Sequence, residues 1–379
     1  MNIAGIVAEY NPFHNGHLRQ VQFLRRQGFD GVIAAMSGNF VQRAEPALTE
    51  KYLRAELAVI CGVDLVLELP LPYAVASAEN FARGGIGILH ATGVVRTVCC
   101  GCESDEDDLR VQYQTLQQAE QSGQIAARMK TGEPYTAAGK KAVEALGGTW
   151  SNGANDLLYI AYRKALDRLG SPMDLITLKR DTDHRGTGSG SAIREKFLHG
   201  QNISDDVPLP CAETLRTAPI ADFCRIERAT AAFYRTAETS DLQKYYGFRE
   251  GIENRIVRTS DAKNLTEWLD RVKTKRFPYS AVRRAVLCGF LGVTNPLPDL
   301  SYIRVLAFND TGRKILRNMK QTACLPVLSS LTKEAAETPL GKQQLRGDEL
   351  FQLTLPLPGA RFRDRKETAR YCPGTHDEF

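Results

Sequence analysis

Glu9-Tyr10-Asn11-Pro12-Phe13-His14-Asn15-Gly16-His17 stands directly behind an apolar run, Asn2–Ala8, and ahead of a helical stripe that begins with Leu18, Val21 and Leu24. The run reads as a buried parallel strand, so two of the chain's six histidines sit three residues apart where a strand turns into a helix. A helix start offers unpaired N–H groups and a partial positive charge, and Gly16 lets backbone approach a ligand closely. Two imidazoles added there make a site for the phosphates of a nucleoside triphosphate. A chance His-x-Gly-His in a chain of this length is on the order of one in a hundred. A second phosphate element is needed to decide against a plain helix cap.

That element is Ser189-Gly190-Ser191-Ala192-Ile193-Arg194, which follows an apolar run at Met173–Leu178 and the glycine-rich Arg185-Gly186-Thr187-Gly188. A small hydroxyl residue at a helix start with an arginine one turn later holds phosphate oxygens by N–H groups, an Oγ and a guanidinium fork. Alone it would be a serine cap beside a surface arginine. Paired with the histidines on one sheet, Ser191 and Arg194 become candidate phosphate ligands beside His14 and His17.

Candidate strands are Asn2–Ala8, Gly31–Met36, Asp64–Leu69, Val94–Cys100 and Met173–Leu178. Between them Leu53, Leu57, Ile60 and Cys61 keep helical spacing, as do Leu158, Ala161, Tyr162, Ala165, Leu166 and Leu169. This alternation predicts an α/β fold: a Rossmann-like parallel sheet with helices on both faces and ligands beyond the carboxyl ends of the strands. Residues 104–150 are polar and helix-prone and read as an inserted helical excursion. Gly200–Pro210 has the composition of a linker, and beyond it helical patterns dominate, with Val282, Ala285, Val286 and Phe290 on one stripe. The expected division is a nucleotide-binding catalytic domain over 1–205 and a mainly α-helical domain over 206–379.

The chain has 379 residues, 43% hydrophobic and 25% charged, with a mean hydropathy of −0.29, enough for two domains with a substantial core. No apolar run approaches the roughly 20 residues that span a bilayer, and no basic region with an apolar stretch opens the chain. Membrane association is not expected. Nine scattered cysteines suit reduced thiols and a cytoplasmic location better than a disulfide framework. Cys99, Cys100 and Cys102 lack a fourth ligand at finger-like spacing, so no metal site is expected there. The formal charge of +5 is compatible with a polyanionic partner without requiring one. The polar last fifteen residues, Arg365–Phe379, are expected to fray.

Further segments fill gaps in the site. Ser37-Gly38-Asn39-Phe40-Val41-Gln42-Arg43 follows the second strand, a normal place for a substrate loop. Gly101 ends the fourth strand, where a missing side chain leaves room for a base or ribose. Asn155 starts the amphipathic helix over 157–169, and Arg180 leaves the last strand toward the same edge. Each has a plain alternative: a turn, a cap, a solvated cation. In the second half Lys273, Lys275, Arg276, Arg283 and Arg284 surround Phe277 and Tyr279. That pattern suits RNA, with cations on phosphates and aromatics on unpaired bases, or equally a solvated charged face.

With these residues in place, the chain resembles the bacterial tRNA(Met) cytidine acetate ligases of the nucleotidylyltransferase superfamily. The match rests on the string Val7–His17 and on Met36–Arg43 running into Glu45-Pro46-Ala47. It continues through Val63–Pro70, Phe81-Ala82-Arg83-Gly84, Gly101-Cys102-Glu103 and Ser189–Arg194. In the second half it covers Glu250–Arg255, Lys273–Phe277 and Tyr302–Leu306. The resemblance implies an enzyme that makes acetyl-adenylate from ATP and acetate and passes the acetyl group to N4 of the wobble cytidine of elongator tRNA(Met). The family's nucleotide loop falls on Val7, Ala8, the nonapeptide quoted above, Leu18, Arg19 and Gln20, with further ATP contacts on Gly101, Asn155 and Arg180. His14 and His17 would stabilise charge on the phosphate, Ser191 and Arg194 would hold the leaving pyrophosphate, and the helical half would bring the anticodon arm. Mg²⁺ is expected to accompany the triphosphate, although no Asp/Glu pair announces a protein-built site. No obligate protein partner is evident. Ala44 stands where the family usually has Gly, Cys102 where Ser is usual, and Asp156 where a second Asn is common. The alternatives are a small-molecule nucleotidylyltransferase of the pantetheine-phosphate or nicotinamide-nucleotide type, or a module that binds tRNA or nucleotide without turnover.

Overall fold

The computed structural model describes residues 1–133, 135–180, 188–361 and 363–374. Its strands, in chain order, are β1 (Ile3–Ala8), β2 (Gly31–Ser37), β3 (Phe40–Val41), β4 (Glu45–Pro46), β5 (Leu65–Leu69), β6 (Thr97–Cys102), β7 (Asp174–Lys179), β8 (Ile303–Phe308), β9 (Val327–Leu328) and β10 (Arg370–Tyr371). Five of them realise the five apolar runs, parallel and in the order β5-β2-β1-β6-β7. The first strand lies in the middle and the order reverses between β1 and β6, which places a crevice beyond their carboxyl ends.

Each strand's alternate residues feed opposite faces. Ala4, Ile6, Val32 and Ala34 pack with Val21 and Leu24 of the helix Asn15–Arg26 and with Leu57 of the helix Lys51–Ile60. Ile3, Ile33 and Ala35 pack with Ile86 and Leu89 of the helix Ala78–Ala91 and with Ala161 of the helix Ala154–Leu169. Burial on both faces is why these strands read as continuous apolar runs. The excursion over 104–150 is helical: Glu106–Gln121, Gln124–Lys130 and Tyr135–Ala145.

The second half is mainly helical, as expected, and it also adds three strands to the sheet that the sequence reading did not include. β8 pairs antiparallel with β5, and β9 and β10 pair with β8. The run around β8 is broken by Arg304, which mimics a helix-surface charge but is 1% exposed. The expected fraying of Arg365–Phe379 is corrected in part. Arg370 and Tyr371 are held opposite Ala307 and Phe308, while residues 375–379 lie outside the described residues. Phe40, Tyr73 and Phe81 share one apolar cluster with Val286, Phe290 and Leu340. The division near residue 205 therefore marks a change in secondary structure and not a gap between two cores.

Polar residues join the halves too. Lys51 Nζ lies 2.8 Å from each of Glu68, Asp348 and Asp364, with 1% of its side chain exposed. Asn39 and Gln344 donate to two of these carboxylates, and Arg304 reaches Tyr52 and the backbone of Asp364. Burial opposes charge on Lys51, but Asp348, Asp364 and Glu68 outweigh it and hold the ammonium well above its ordinary pKa.

Candidate active site

A cavity of about 500 Å³ opens beyond the carboxyl ends of β1 and β6. His14 caps the helix Asn15–Arg26 with an extended backbone, and its Nδ1 accepts the N–H of Gly16 at 3.1 Å. His17 completes a reciprocal cap, its Nδ1 accepting the N–H of His14 at 3.2 Å. The two rings stack with centroids 3.7 Å apart and planes 22° from parallel.

This geometry assigns both tautomers. An Nδ1 that accepts a backbone N–H carries no proton, so each neutral ring carries its proton on Nε2. Both rings are held neutral. Burial, then the Arg180 cation, against an opposing Asp206, lowers His14 to a pKa of about 4. Burial, then His14 and Arg180, pushes His17 well below its ordinary value. Two Nε2–H donors therefore stand side by side at a helix N-terminus, ready for anionic oxygens without needing to be protonated. Tyr10 packs edge-on behind His17, with ring centroids 4.8 Å apart, and fixes its plane.

The second phosphate element meets the first. Ser189 caps the helix Gly190–Leu198 by accepting the N–H of Ala192 at 3.2 Å. One turn on, Arg194 donates to the carbonyl of Asn11 at 2.9 Å and to Glu45 at 2.6 Å. Ser191 Oγ lies 3.4 Å from the same guanidinium. Ser191 and Arg194 line the cavity with the histidines, while Arg185–Thr187 of the glycine-rich segment lie outside the described residues.

Most of the other expected site residues also reach the wall. Val7 and Ala8 end β1 there, followed by Glu9, Tyr10, Asn11 and Pro12. Asn15, Gly16, Arg19 and Gln20 contribute from the helix, and Gln20 Nε2 donates to the carbonyl of Cys99 at 3.0 Å. Phe13 and Leu18 turn the other way, into the apolar cluster beneath, Phe13 with 2% exposure. Gly101 and Arg180 lie across from the loop. A Cβ on Gly101 would touch the Arg180 stem at 3.7 Å, so the missing side chain widens the opening. Asn155 lines it as well, with Nδ2 donating to Glu103 at 2.6 Å. Gln42 and Arg43 bring the loop after β2 to the same cavity.

The sequence reading took Leu158 and Tyr162 only as a core stripe, and Asp205 and Asp206 only as linker, yet all four line the cavity. Phe81 was quoted only within the family match and is also on the wall. The one signal available was that Leu158 and Tyr162 share a helical face with Asn155.

The three departures from the family pattern have different consequences. Ala44 sits at φ +57°, the left-handed region, which explains why Gly is usual there. Asp156 accepts from the N–H groups of Glu103 and Ser104 and from the hydroxyls of Ser104 and Ser151. Burial opposes its charge, but these bonds outweigh it and lower its pKa. Cys102 is buried at the end of β6, which raises its thiol pKa.

Among the cations expected to meet RNA, two are otherwise engaged. Arg283 donates to the carbonyl of Ala44 at 3.1 Å and to Glu45 at 3.0 Å. Arg284 donates to the carbonyls of Val75 and Gln42. Both fasten the helix Tyr279–Leu291 to the catalytic half. Lys273, Lys275 and Arg276 are exposed, Arg276 beside Glu250 at 2.7 Å. Phe277 is 8% exposed and packs into the core, so it offers no face to a base.

Comparison with known proteins agrees with this geometry. Residues 1–366 match the family model described as HIGH Nucleotidyl Transferase, which defines the class. A tRNA(Met) cytidine acetate ligase of Latilactobacillus sakei is 35% identical over 374 residues, covering 93% of this chain and 94% of that one. One of Fervidobacterium nodosum is 33% identical over 371 residues, covering 87% and 84%. The crystal structure of Thermotoga maritima TmcAL bound with alpha-thio ATP superposes with a TM-score of 0.88 at 29% identity, covering 99% of this chain and all of that one. The chain belongs to the HIGH nucleotidyl transferase family and, within it, to the tRNA(Met) cytidine acetate ligases. No helix among the described residues is long and apolar enough to cross a membrane.

Proposed function

We propose that this chain is an ATP-dependent acetate ligase acting on elongator tRNA(Met). It forms acetyl-adenylate from ATP and acetate, then transfers the acetyl group to N4 of the wobble cytidine. The observation that carries the reading is the reciprocal histidine cap, which presents two neutral Nε2–H donors beside Arg194 in a cavity of about 500 Å³.

In the first step an acetate oxygen attacks the α-phosphorus and the bond to pyrophosphate breaks. His14 and His17 donate to the oxygens on which charge builds, aided by the partial positive charge at the start of their helix. Ser191 and Arg194 hold the departing pyrophosphate, Arg194 releasing Glu45 to do so. Preorganised donors of this kind are each worth on the order of a hundredfold in rate. Gly101, Asn155 and Arg180 flank the nucleoside. Mg²⁺ would arrive on the triphosphate. Among the described residues no group of three His, Cys, Asp or Glu side chains could hold a metal, so no step is routed through the ion.

Lys273, Lys275 and Arg276, in the segment between the helices Leu265–Val272 and Tyr279–Leu291, supply phosphate contacts for the anticodon arm, with Arg283 and Arg284 as the struts that hold the second of these helices. A tRNA substrate places the enzyme in the cytoplasm. The test is ATP–pyrophosphate exchange with and without acetate, joined to acetyl-cytidine content of tRNA(Met). Acetate-dependent exchange is expected. Exchange independent of acetate would point to a small-molecule nucleotidylyltransferase, and none at all to a binding module.

A further inference from the structure

Glu9 is the residue that follows β1, at the point where the strand order reverses, and it lines the cavity. Its Oε1 accepts the N–H of Gln42 at 2.9 Å, and its carbonyl accepts from Arg54 at 2.6 Å, so side chain and backbone are both fixed. The other carboxylate oxygen takes no hydrogen bond from any described residue, and Glu9 is half-buried at the cavity wall. Gly101 and Arg180 come from β6 and β7 on one side of the histidine loop. Glu9, Gln42 and Arg43 lie toward β2 on the other side. A nucleotide held on the β6–β7 side with its α-phosphate at the histidines therefore directs the acyl group toward Glu9.

We propose that Glu9 accepts the proton of the attacking amine in the acetyl-transfer step, an inference that rests on the two-step reading above. The N4 lone pair forms a bond to the acetyl carbonyl carbon. The bond from that carbon to the phosphate oxygen breaks, and AMP leaves with the electron pair. The amine proton passes to the free oxygen of Glu9 and from there to water. An exocyclic cytidine amine is a weak nucleophile, and removing its proton as the C–N bond forms is general-base work.

The other groups on the wall are unsuited. His14 and His17 each use Nδ1 as a cap acceptor and carry hydrogen on Nε2. Asp206 is paired with Lys196 at 2.9 Å, and Asp205 lies beside the first helix start, where its carbonyl accepts from Asn15. Val7, Phe81 and Leu158 add apolar area to the same cavity wall. Burial raises its pKa and Glu45 adds to the rise, against the Gln42 amide, Arg194 and Arg43. Arg54 from the helix Lys51–Ile60 and Tyr162 from the helix Ala154–Leu169 complete the titratable groups facing it. A carboxylate raised above its usual range is a better base.

The test is Glu9→Gln, which keeps an acceptor for the Gln42 N–H. Single-turnover transfer from preformed acetyl-adenylate to tRNA(Met) is expected to fall by about 100-fold or more, at least about tenfold further than acetate-dependent exchange, which the substitution also lowers through the nucleotide loop that Glu9 belongs to. In the unsubstituted enzyme transfer should rise with pH through an apparent pKa above that of an ordinary carboxylate. That limb should vanish in the variant and return in part in Glu9→Asp. Transfer within about threefold of the unsubstituted enzyme overturns the proposal, and so does an equal loss of exchange and transfer in a variant that unfolds at the same temperature. Absence of acetate-dependent exchange in the unsubstituted enzyme would instead overturn the function reading itself.

Discussion

Replacing Gly16 by alanine separates catalytic geometry from fold stability. A Cβ at residue 16 would stand 2.9 Å from His14 Cε1 and 3.0 Å from Nδ1, inside normal contact distance, so the ring must swing away. Its departure breaks the bond from the Gly16 N–H and opens the 3.7 Å stack on His17. For stability two effects oppose each other. A lost cap costs about 1 kcal/mol, and alanine gains roughly 1 kcal/mol over glycine inside a helix. The melting temperature should therefore move by no more than a few degrees. Catalysis has no such offset, because a displaced donor at the reacting phosphate costs on the order of 10²–10³ in rate. The assay is kcat/KM of acetate-dependent ATP–pyrophosphate exchange, run beside thermal unfolding. Because the substitution acts through one ring, Gly16→Ala combined with His14→Ala should be within about threefold of His14→Ala alone. A Gly16→Ala protein with unchanged melting and exchange within about threefold of the original would refute the assignment of His14 as a positioned donor.

Three further outcomes follow from particular contacts. Ala44→Gly relieves a left-handed conformation at a cost of backbone entropy, for a net gain of about 0.5–1 kcal/mol in urea unfolding; a loss of stability would contradict the strain. Lys51→Met leaves Glu68, Asp348 and Asp364 buried without their cation and should cost about 3–5 kcal/mol, so a urea midpoint that barely moves would mean the carboxylates find other partners. The third concerns pH. His14 titrates near 4 when folded against an ordinary 6.5, so the unfolded chain takes the proton first. Its stabilising contribution is complete above pH 6.5 and drains as pH falls toward 4, by at most about 3 kcal/mol. Urea unfolding at pH 7 and at pH 4.5 should show a smaller loss in His14→Asn than in the original chain; equal losses would count against the buried neutral ring.

The five parallel strands and the histidine crossover were legible because strands buried on both faces leave unbroken apolar runs, and because motif and helix start coincide at His14. β8 was missed because Arg304 interrupts its run, and only a buried partner network makes that arginine acceptable in a strand. Lys51 and Asp364 are joined across 313 residues of sequence that share no spacing rule, so no periodicity could announce them. Arg283 and Arg284 read as polyanion ligands because a guanidinium satisfies a phosphate and a backbone carbonyl by the same fork geometry. The walls contributed by Phe81, Leu158 and Tyr162 were hidden in stripes that also serve the core.

The antiparallel pairing of β8 with β5 has a consequence for biosynthesis. β5 leaves the ribosome about 230 residues before its neighbour, a wait of roughly 10–50 s at ordinary translation speed. During that interval the nascent chain carries a bare strand margin, the kind of surface that recruits chaperones or pairs with another polypeptide. Shortened versions ending near residue 205 would keep that margin for good, so they should be recovered as aggregates or chaperone complexes and not as a free catalytic unit.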